Sequence, residues 1–129
     1  MASTAIGTFE ISMTPGSAEV GGAVGRLDFT KTWRGDLEGR GAGILLSSGD
    51  PKAGEAGYVA IETVEGRLGG REGGFAFQQS GLMHNGSQTL RYEIAPGSGH
   101  GALQGVTGTL QLTIEVDGTH RYELSYELE

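Results

Sequence analysis

Two charged side chains stand where the alternation of the sequence otherwise places apolar residues. Lys31 interrupts the apolar row that ends at Trp33, and Glu62 interrupts the row that ends at Val64. A lone ammonium or carboxylate in a dry pocket has a shifted pKa suited to proton transfer. These two residues are therefore the first candidates for chemistry, with Glu62 as the candidate acid or base.

The same two residues also have a purely structural interpretation. Lys31 can lie at a strand end with its ammonium in solvent. Glu62 can pair with an arginine such as Arg71. At the level of the sequence both interpretations stay open.

Other kinds of chemistry find little support in the residues. The segment Gly97-Ser98-Gly99 does not lead from a strand to a helix, so it is no nucleophile elbow, and Gln104 replaces the third glycine of a dinucleotide fingerprint. His84, His100 and His120 are far apart and lack a second ligand at strand or helix spacing. We expect no metal and no cofactor. His84 stays a candidate because it lies beside a turn that could overhang a barrel opening.

The elements that must position these residues are β-strands. Glycine is frequent throughout, and the longest glycine-free run, Thr119 to Glu129, alternates with period two. The sequence predicts an all-β chain with strands at Gly7–Met13, Arg26–Trp33, Glu38–Ser47, Tyr58–Val64, Arg67–Leu68 onward into Gly74–Gln79, Gln88–Ala95, Ala102–Val116 and His120–Leu128.

The connections fit a curved antiparallel sheet. Asn85-Gly86 and Asp117-Gly118 predict tight type I′ hairpins. Repeated glycine between Pro96 and Leu112, which includes the start of a predicted strand, indicates a bend or a close backbone approach. We therefore predict one closed eight-stranded antiparallel β-barrel over residues 1–129.

A barrel of this size encloses either a filled core or a cavity for one small ligand. The candidate polar groups inside it are Lys31, Glu62 and Gln78. The candidate walls are aromatic: Phe29, Tyr58, Phe75, Phe77 and Tyr92. The alternative is that these aromatic rings simply fill the barrel.

The composition of the chain excludes several classes of partner and of chemistry. The 129 residues carry a net charge of −7, and the nine Lys and Arg residues are scattered singly, so nucleic acid is not an expected partner. The absence of cysteine excludes disulfides and a thiolate nucleophile. Met1 to Ala5 lack a basic region, and no long apolar run follows, so we expect a cytoplasmic protein with no membrane partner.

Four segments together resemble a known group of proteins. They are Thr30 to Gly39, Glu62 to Arg71, Gly74 to Gly81 and Pro96 to Leu110, and their order spans nearly the whole chain. In these segments the chain resembles small bacterial proteins of unassigned function with the allene-oxide-cyclase-like barrel.

The resemblance implies an eight-stranded antiparallel barrel of the calycin or lipocalin type, and such barrels often assemble as homo-oligomers. In the plant cyclases of this fold, the first strand carries a glutamate that is followed two residues later by a polar side chain. This glutamate assists the reaction. The matching positions are Glu10 and Ser12, where serine replaces an amide. Because Phe9 and Ile11 lie in the opposite row, Glu10 points inward only if that apolar row packs elsewhere.

The leading hypothesis for function is the binding of a hydrophobic or amphipathic small molecule inside the barrel. One alternative is a cofactor-independent cyclase or isomerase acting on a polyene, a polyketide or an oxidised lipid. Another is a structural homo-oligomer with a filled barrel.

Overall fold

The computed structural model describes residues 2–16 and 23–128, which form nine β-strands and one short 3-10 turn, Pro51–Ala53. The strands are β1 (Ala2–Pro15), β2 (Gly25–Gly35), β3 (Leu37–Asp50), β4 (Glu55–Leu68), β5 (Arg71–His84), β6 (Ser87–Ile94), β7 (His100–Gly101), β8 (Thr107–Ile114) and β9 (His120–Glu127).

The long strands pair in chain order, and the last one pairs with the first, which closes the sheet into a barrel. From β1 to β6 each pairs antiparallel with the next, β6 pairs with β8, β8 with β9, and β9 returns to β1. The two-residue β7 adds only a small pairing on β5. The predicted closed eight-stranded antiparallel barrel is confirmed.

One seam of the barrel is incomplete. β6 and β8 share a single pair, Glu93 with Thr109, whereas the other long neighbours pair over eight or more residues. Beyond that pair the ladder between β6 and β8 is not continued towards Leu90 and Leu112. Closure is therefore weakest along this seam.

The core fills one half of the barrel, as the predicted alternation places apolar rows on the inside. Its buried members are Ala5, Phe9, Trp33, Leu37, Val64, Leu68, Phe75, Phe77, Tyr92, Ile94, Leu103, Val106, Leu110, Tyr122 and Leu124. We call the end near Leu37 and Leu68 the closed end, and the end near Leu45 and Leu90 the open end. Burying each leucine contributes roughly 1.5–3 kcal/mol relative to leaving it exposed.

The predicted turns are partly confirmed. Asn85 and Gly86 both have positive φ, 52° and 80°, as a type I′ hairpin requires. At the other hairpin only Gly118 has positive φ, and the Glu115 N–H bonds to the Thr119 carbonyl, so its loop is longer than predicted. Arg67–Leu68 belong to β4 rather than to the following strand, because the chain turns at Gly69 and Gly70.

The glycine-rich segment after Pro96 is mostly loop, which corrects its predicted role as a curved strand. Residues 102–105 form turns, and β8 begins only at Thr107. The loop carries Leu103 and Val106 across the closed end, where both are fully buried. The glycines therefore let the chain fold back over the barrel, and two apolar side chains seal that end.

Candidate functional site

The two charged residues of the apolar rows meet inside the barrel. Lys31 on β2 and Glu62 on β4 are 5% and 2% exposed, and Lys31 Nζ lies 2.8 Å from Glu62 Oε1. β3 lies between their strands, and its Gly41 leaves the space that the carboxylate occupies: a Cβ there would lie 2.9 Å from Glu62 Cδ. Neither structural alternative holds, because the ammonium is not in solvent and the partner of Glu62 is Lys31, not Arg71.

Neighbouring side chains complete this buried pair. Lys31 Nζ also donates to the Tyr92 hydroxyl at 2.7 Å, and Trp33 Nε1 donates to Glu62 Oε2 at 2.9 Å. The Lys31 ammonium faces aromatic rings at 4.5–5.2 Å from their centroids, those of Phe9, Phe29, Trp33 and Tyr92. Ring faces attract a cation electrostatically. Every fully buried side-chain nitrogen and oxygen among the described residues has a hydrogen-bond partner.

Burial shifts the pKa values of Lys31 and Tyr92. Desolvation lowers the pKa of Lys31, although the charge and the hydrogen bond of Glu62 oppose the change. Desolvation, followed by the charge of Glu62, raises the pKa of Tyr92 well above its ordinary value of 10.0. An ammonium and a carboxylate at 2.8 Å can exchange a proton, but both side chains are only 3% exposed. As the structure stands, no ligand reaches them directly.

We expect Tyr92 to make the folded state less stable in alkali. The folded protein keeps the phenol proton that the unfolded chain loses, so this contribution is complete below pH 10.0 and is lost as the pH rises towards the folded pKa. The loss approaches about 1.4 kcal/mol per pH unit. The lowered pKa of Lys31 acts oppositely, because stability from that group rises with pH up to 10.5.

The measurement compares urea unfolding of the wild type and Tyr92→Phe at several pH values around 10. The free-energy advantage of the wild type should decline above that pH. Parallel pH profiles for the two proteins would contradict the assignment.

An apolar cavity of about 420 Å³ lies at the open end of the barrel. Side chains from β2, β3, β6 and β8 surround it, among them Leu27, Leu45, Leu90, Leu112 and Ile114. On β2 and β6 the next inward position is buried, because Leu27 is followed by Phe29 and Leu90 by Tyr92. The cavity therefore ends above the Lys31–Glu62 pair.

Tyr58 is one of the residues that line this cavity. Its ring lies across Gly81 of β5, where a Cβ would be 2.9 Å from Tyr58 Cζ. The Tyr58 oxygen accepts a hydrogen bond of 2.6 Å from Gln79 Nε2. Burial raises the pKa of Tyr58, with the Gln79 bond opposing the change. The phenol consequently stays protonated at neutral pH.

The other candidate wall residues divide between the two ends. Phe29 is buried beneath the cavity, whereas Phe75 and Phe77 pack in the core near the closed end. His84 lies at the end of β5 near the open end but is exposed, with Nδ1 2.7 Å from Glu55 Oε2. Of the predicted aromatic walls, only Tyr58 lines the cavity directly.

Three candidate residues lie on the outside of the barrel. Glu10 and Ser12 are exposed because Phe9 occupies the inward position, and Glu10 lies 3.5 Å from Arg34. An inward Glu10 would require the apolar row of Phe9 to pack elsewhere, but that row faces the interior. The Glu10 carboxylate therefore lies outside the barrel. Gln78 is also exposed, because Phe77 beside it points inward. The inward glutamine is Gln79.

Sequence reasoning missed Gln79 and the leucines of the open end. The signal for Gln79 was present: Phe75 and Phe77 are inward, so period two also places Gln79 inside. A larger depression of about 540 Å³ lies outside the barrel near Glu38, Glu65 and Glu72. Its charged rim makes it a poorer candidate for a small apolar ligand.

The remaining histidines have structural partners. His100 Nε2 lies 2.8 Å from Glu65 Oε1, and His120 stacks on Phe9. Within residues 2–16 and 23–128, no three His, Cys, Asp or Glu residues are grouped as a metal site would need. Those residues also contain no helix with the length and apolar character to cross a membrane.

The fold and the cavity define the class of protein: a closed up-and-down β-barrel with an apolar cavity at one end. The chain belongs to the family described as "Protein of unknown function (DUF3224)", whose model matches residues 5–126. A search of the curated proteins found no match.

A solved structure is closely similar. It is the crystal structure of a protein of unknown function from the DUF3224 family of Shewanella oneidensis MR-1. It is 42% identical, with a TM-score of 0.91, and the match covers 100% of this chain and 98% of that chain. The expected membership in a group of unassigned function is confirmed, whereas the allene-oxide-cyclase-like label stays a prediction.

Proposed function

We propose that the barrel binds a hydrophobic or amphipathic small molecule in the cavity at its open end. The observation that carries this proposal is the volume of about 420 Å³ bounded by Leu27, Leu45, Leu90 and Leu112. Ligand cavities typically hold about 300–1,000 Å³ and have apolar walls with a few polar groups. Side chains of residues 2–16 and 23–128 leave this space unfilled, which favours binding over a filled structural barrel.

Binding is also favoured over catalysis by the buried pair. A cyclase or isomerase that used Glu62 would need its carboxylate to touch the substrate, whereas Lys31, Trp33 and Tyr92 surround it. The cyclase or isomerase therefore stays a prediction that rests on the resemblance. Assembly as a homo-oligomer also stays a prediction that rests on the resemblance.

The test uses N-phenyl-1-naphthylamine, a neutral dye that becomes fluorescent in apolar sites. We expect saturable binding at one dye per chain. Leu112→Trp fills the cavity and should weaken binding by about tenfold or more, which corresponds to at least about 1.4 kcal/mol.

The matched control is Ile61→Trp, which adds the same ring to the outer face of β4, where Ile61 is 51% exposed. This variant should bind the dye like the wild type. Equal loss in both variants, or no saturable binding by the wild type, would overturn the proposal.

A further inference from the structure

Tyr58 is the phenol that lines the cavity, and its position points to the class of ligand. We infer that the Tyr58 hydroxyl donates a hydrogen bond to a carbonyl-type oxygen on an otherwise apolar, uncharged ligand. The inference rests on the proposed function, because it assigns a polar anchor within the same cavity.

The hydrogen-bonding of Tyr58 leaves its proton available. A phenol can donate one hydrogen bond and accept others. Gln79 Nε2 supplies the donor in the 2.6 Å bond, so the Tyr58 oxygen is the acceptor there. Among the hydrogen bonds of the described residues, the Tyr58 proton has no acceptor. A ligand oxygen in the cavity would provide one.

The surroundings keep this proton in place and orient it. Burial raises the pKa of Tyr58, so the hydroxyl remains a donor at neutral pH. Gly81 leaves room for the ring on one side, and Gln79 holds the oxygen. A preoriented donor in a half-buried site loses little freedom when the ligand binds.

The charge of the interior selects against anions. The buried charged residues of the described chain are Lys31 and Glu62, and they neutralise each other. A carboxylate next to Tyr58 would therefore enter a site without a free cation, in a chain of net charge −7. A carbonyl oxygen accepts the same hydrogen bond without a buried charge, which would be costly.

The buried pair lies directly behind this anchor. Gln79 pairs with Tyr92 across β5 and β6, and Tyr92 accepts from Lys31. Gln79 also donates to the Tyr58 oxygen, so it links the two phenols. The oxygen of the ligand therefore points into the barrel, and the apolar body of the ligand faces Leu27, Leu90 and Leu112.

The experiment uses two probes of the same shape. 2-Acetylnaphthalene carries a carbonyl oxygen, and 2-isopropenylnaphthalene carries a methylene group in its place. Each competes with N-phenyl-1-naphthylamine for the wild type and for Tyr58→Phe. Loss of one hydrogen bond should weaken the ketone about five- to tenfold in Tyr58→Phe and leave the hydrocarbon unchanged. The infrared carbonyl stretch of bound ketone should rise in the variant.

The control variant is Tyr126→Phe, a tyrosine near Gly69 at the closed end, which should bind both probes normally. A third probe, 2-naphthoate, should bind more weakly than the ketone. Equal ketone binding by the wild type and Tyr58→Phe, with dye binding intact, overturns the inference alone, as does tighter binding of the anion. Failure of the wild type to bind any neutral probe overturns the proposed function as well.

Discussion

Replacing Lys31 with methionine lowers the free energy of unfolding by about 3–5 kcal/mol, the typical cost of leaving a buried charge without its partner. Lys31 Nζ is the only cation within salt-bridge distance of Glu62 among the described residues. Methionine fills a similar volume, so the loss arises from the stranded carboxylate rather than from a void. Urea unfolding followed by circular dichroism measures the change.

A second substitution distinguishes charge from packing. In Lys31→Met/Glu62→Gln the charges are gone, while a side-chain oxygen remains to accept from Trp33 Nε1. We expect this double variant to recover more than half of the lost stability. Arg34→Met, which breaks the exposed pair with Glu10, should change little. A double variant no more stable than Lys31→Met would contradict the electrostatic account.

The buried pair is better explained by specificity than by stability. Replacing buried ion pairs with apolar residues is often neutral or stabilising, because desolvation of both charges offsets their attraction. Here the pair orients Trp33 and Tyr92 through hydrogen bonds. It therefore organises the layer beneath the cavity, and Gln79 is the strand partner of Tyr92 in that layer.

The alternation of the sequence predicted which residues point inward but not which of them meet. Lys31 and Glu62 were identifiable because each breaks an apolar row. Their contact depends on the register of two hairpins and on Gly41 between them, which are long-range properties. The placement of Gln78 inside the barrel was wrong for a different reason. Strict period two already puts Gln78 and Phe77 on opposite faces of the sheet.

The open cavity was beyond the reach of periodicity. Apolar rows predict an interior, but its filling depends on how far each strand extends and on what covers each end. Leu103 and Val106 close one end from a loop that sequence reasoning assigned partly to a strand. Nothing in the local pattern of Leu27, Leu45 or Leu112 distinguishes a residue lining a cavity from one in a packed core.

A short repeat in the sequence had a meaning that only the register reveals. Glu38-Gly39-Arg40 recurs as Glu65-Gly66-Arg67, and the two copies are antiparallel partners on β3 and β4. Glutamate therefore faces arginine on both sides of the glycine pair. The pattern indicates a strand pairing rather than a structural repeat of fixed period.

Gly66→Ala should destabilise the fold by about 3 kcal/mol, at the upper end of the usual range for overpacking. A Cβ at Gly66 would overlap the Glu38 carbonyl oxygen and lie 2.6 Å from Gly39 Cα, and these backbone atoms cannot rotate away. The strands would have to separate where β3 and β4 meet near Leu37 and Leu68. Gly57→Ala on the same strand is the control, because its nearest neighbour is the end of the exposed Leu82 side chain at 3.3 Å. Urea unfolding should show a large loss for Gly66→Ala and a small change for Gly57→Ala; equal effects would mean that the glycine pair does not set the strand spacing.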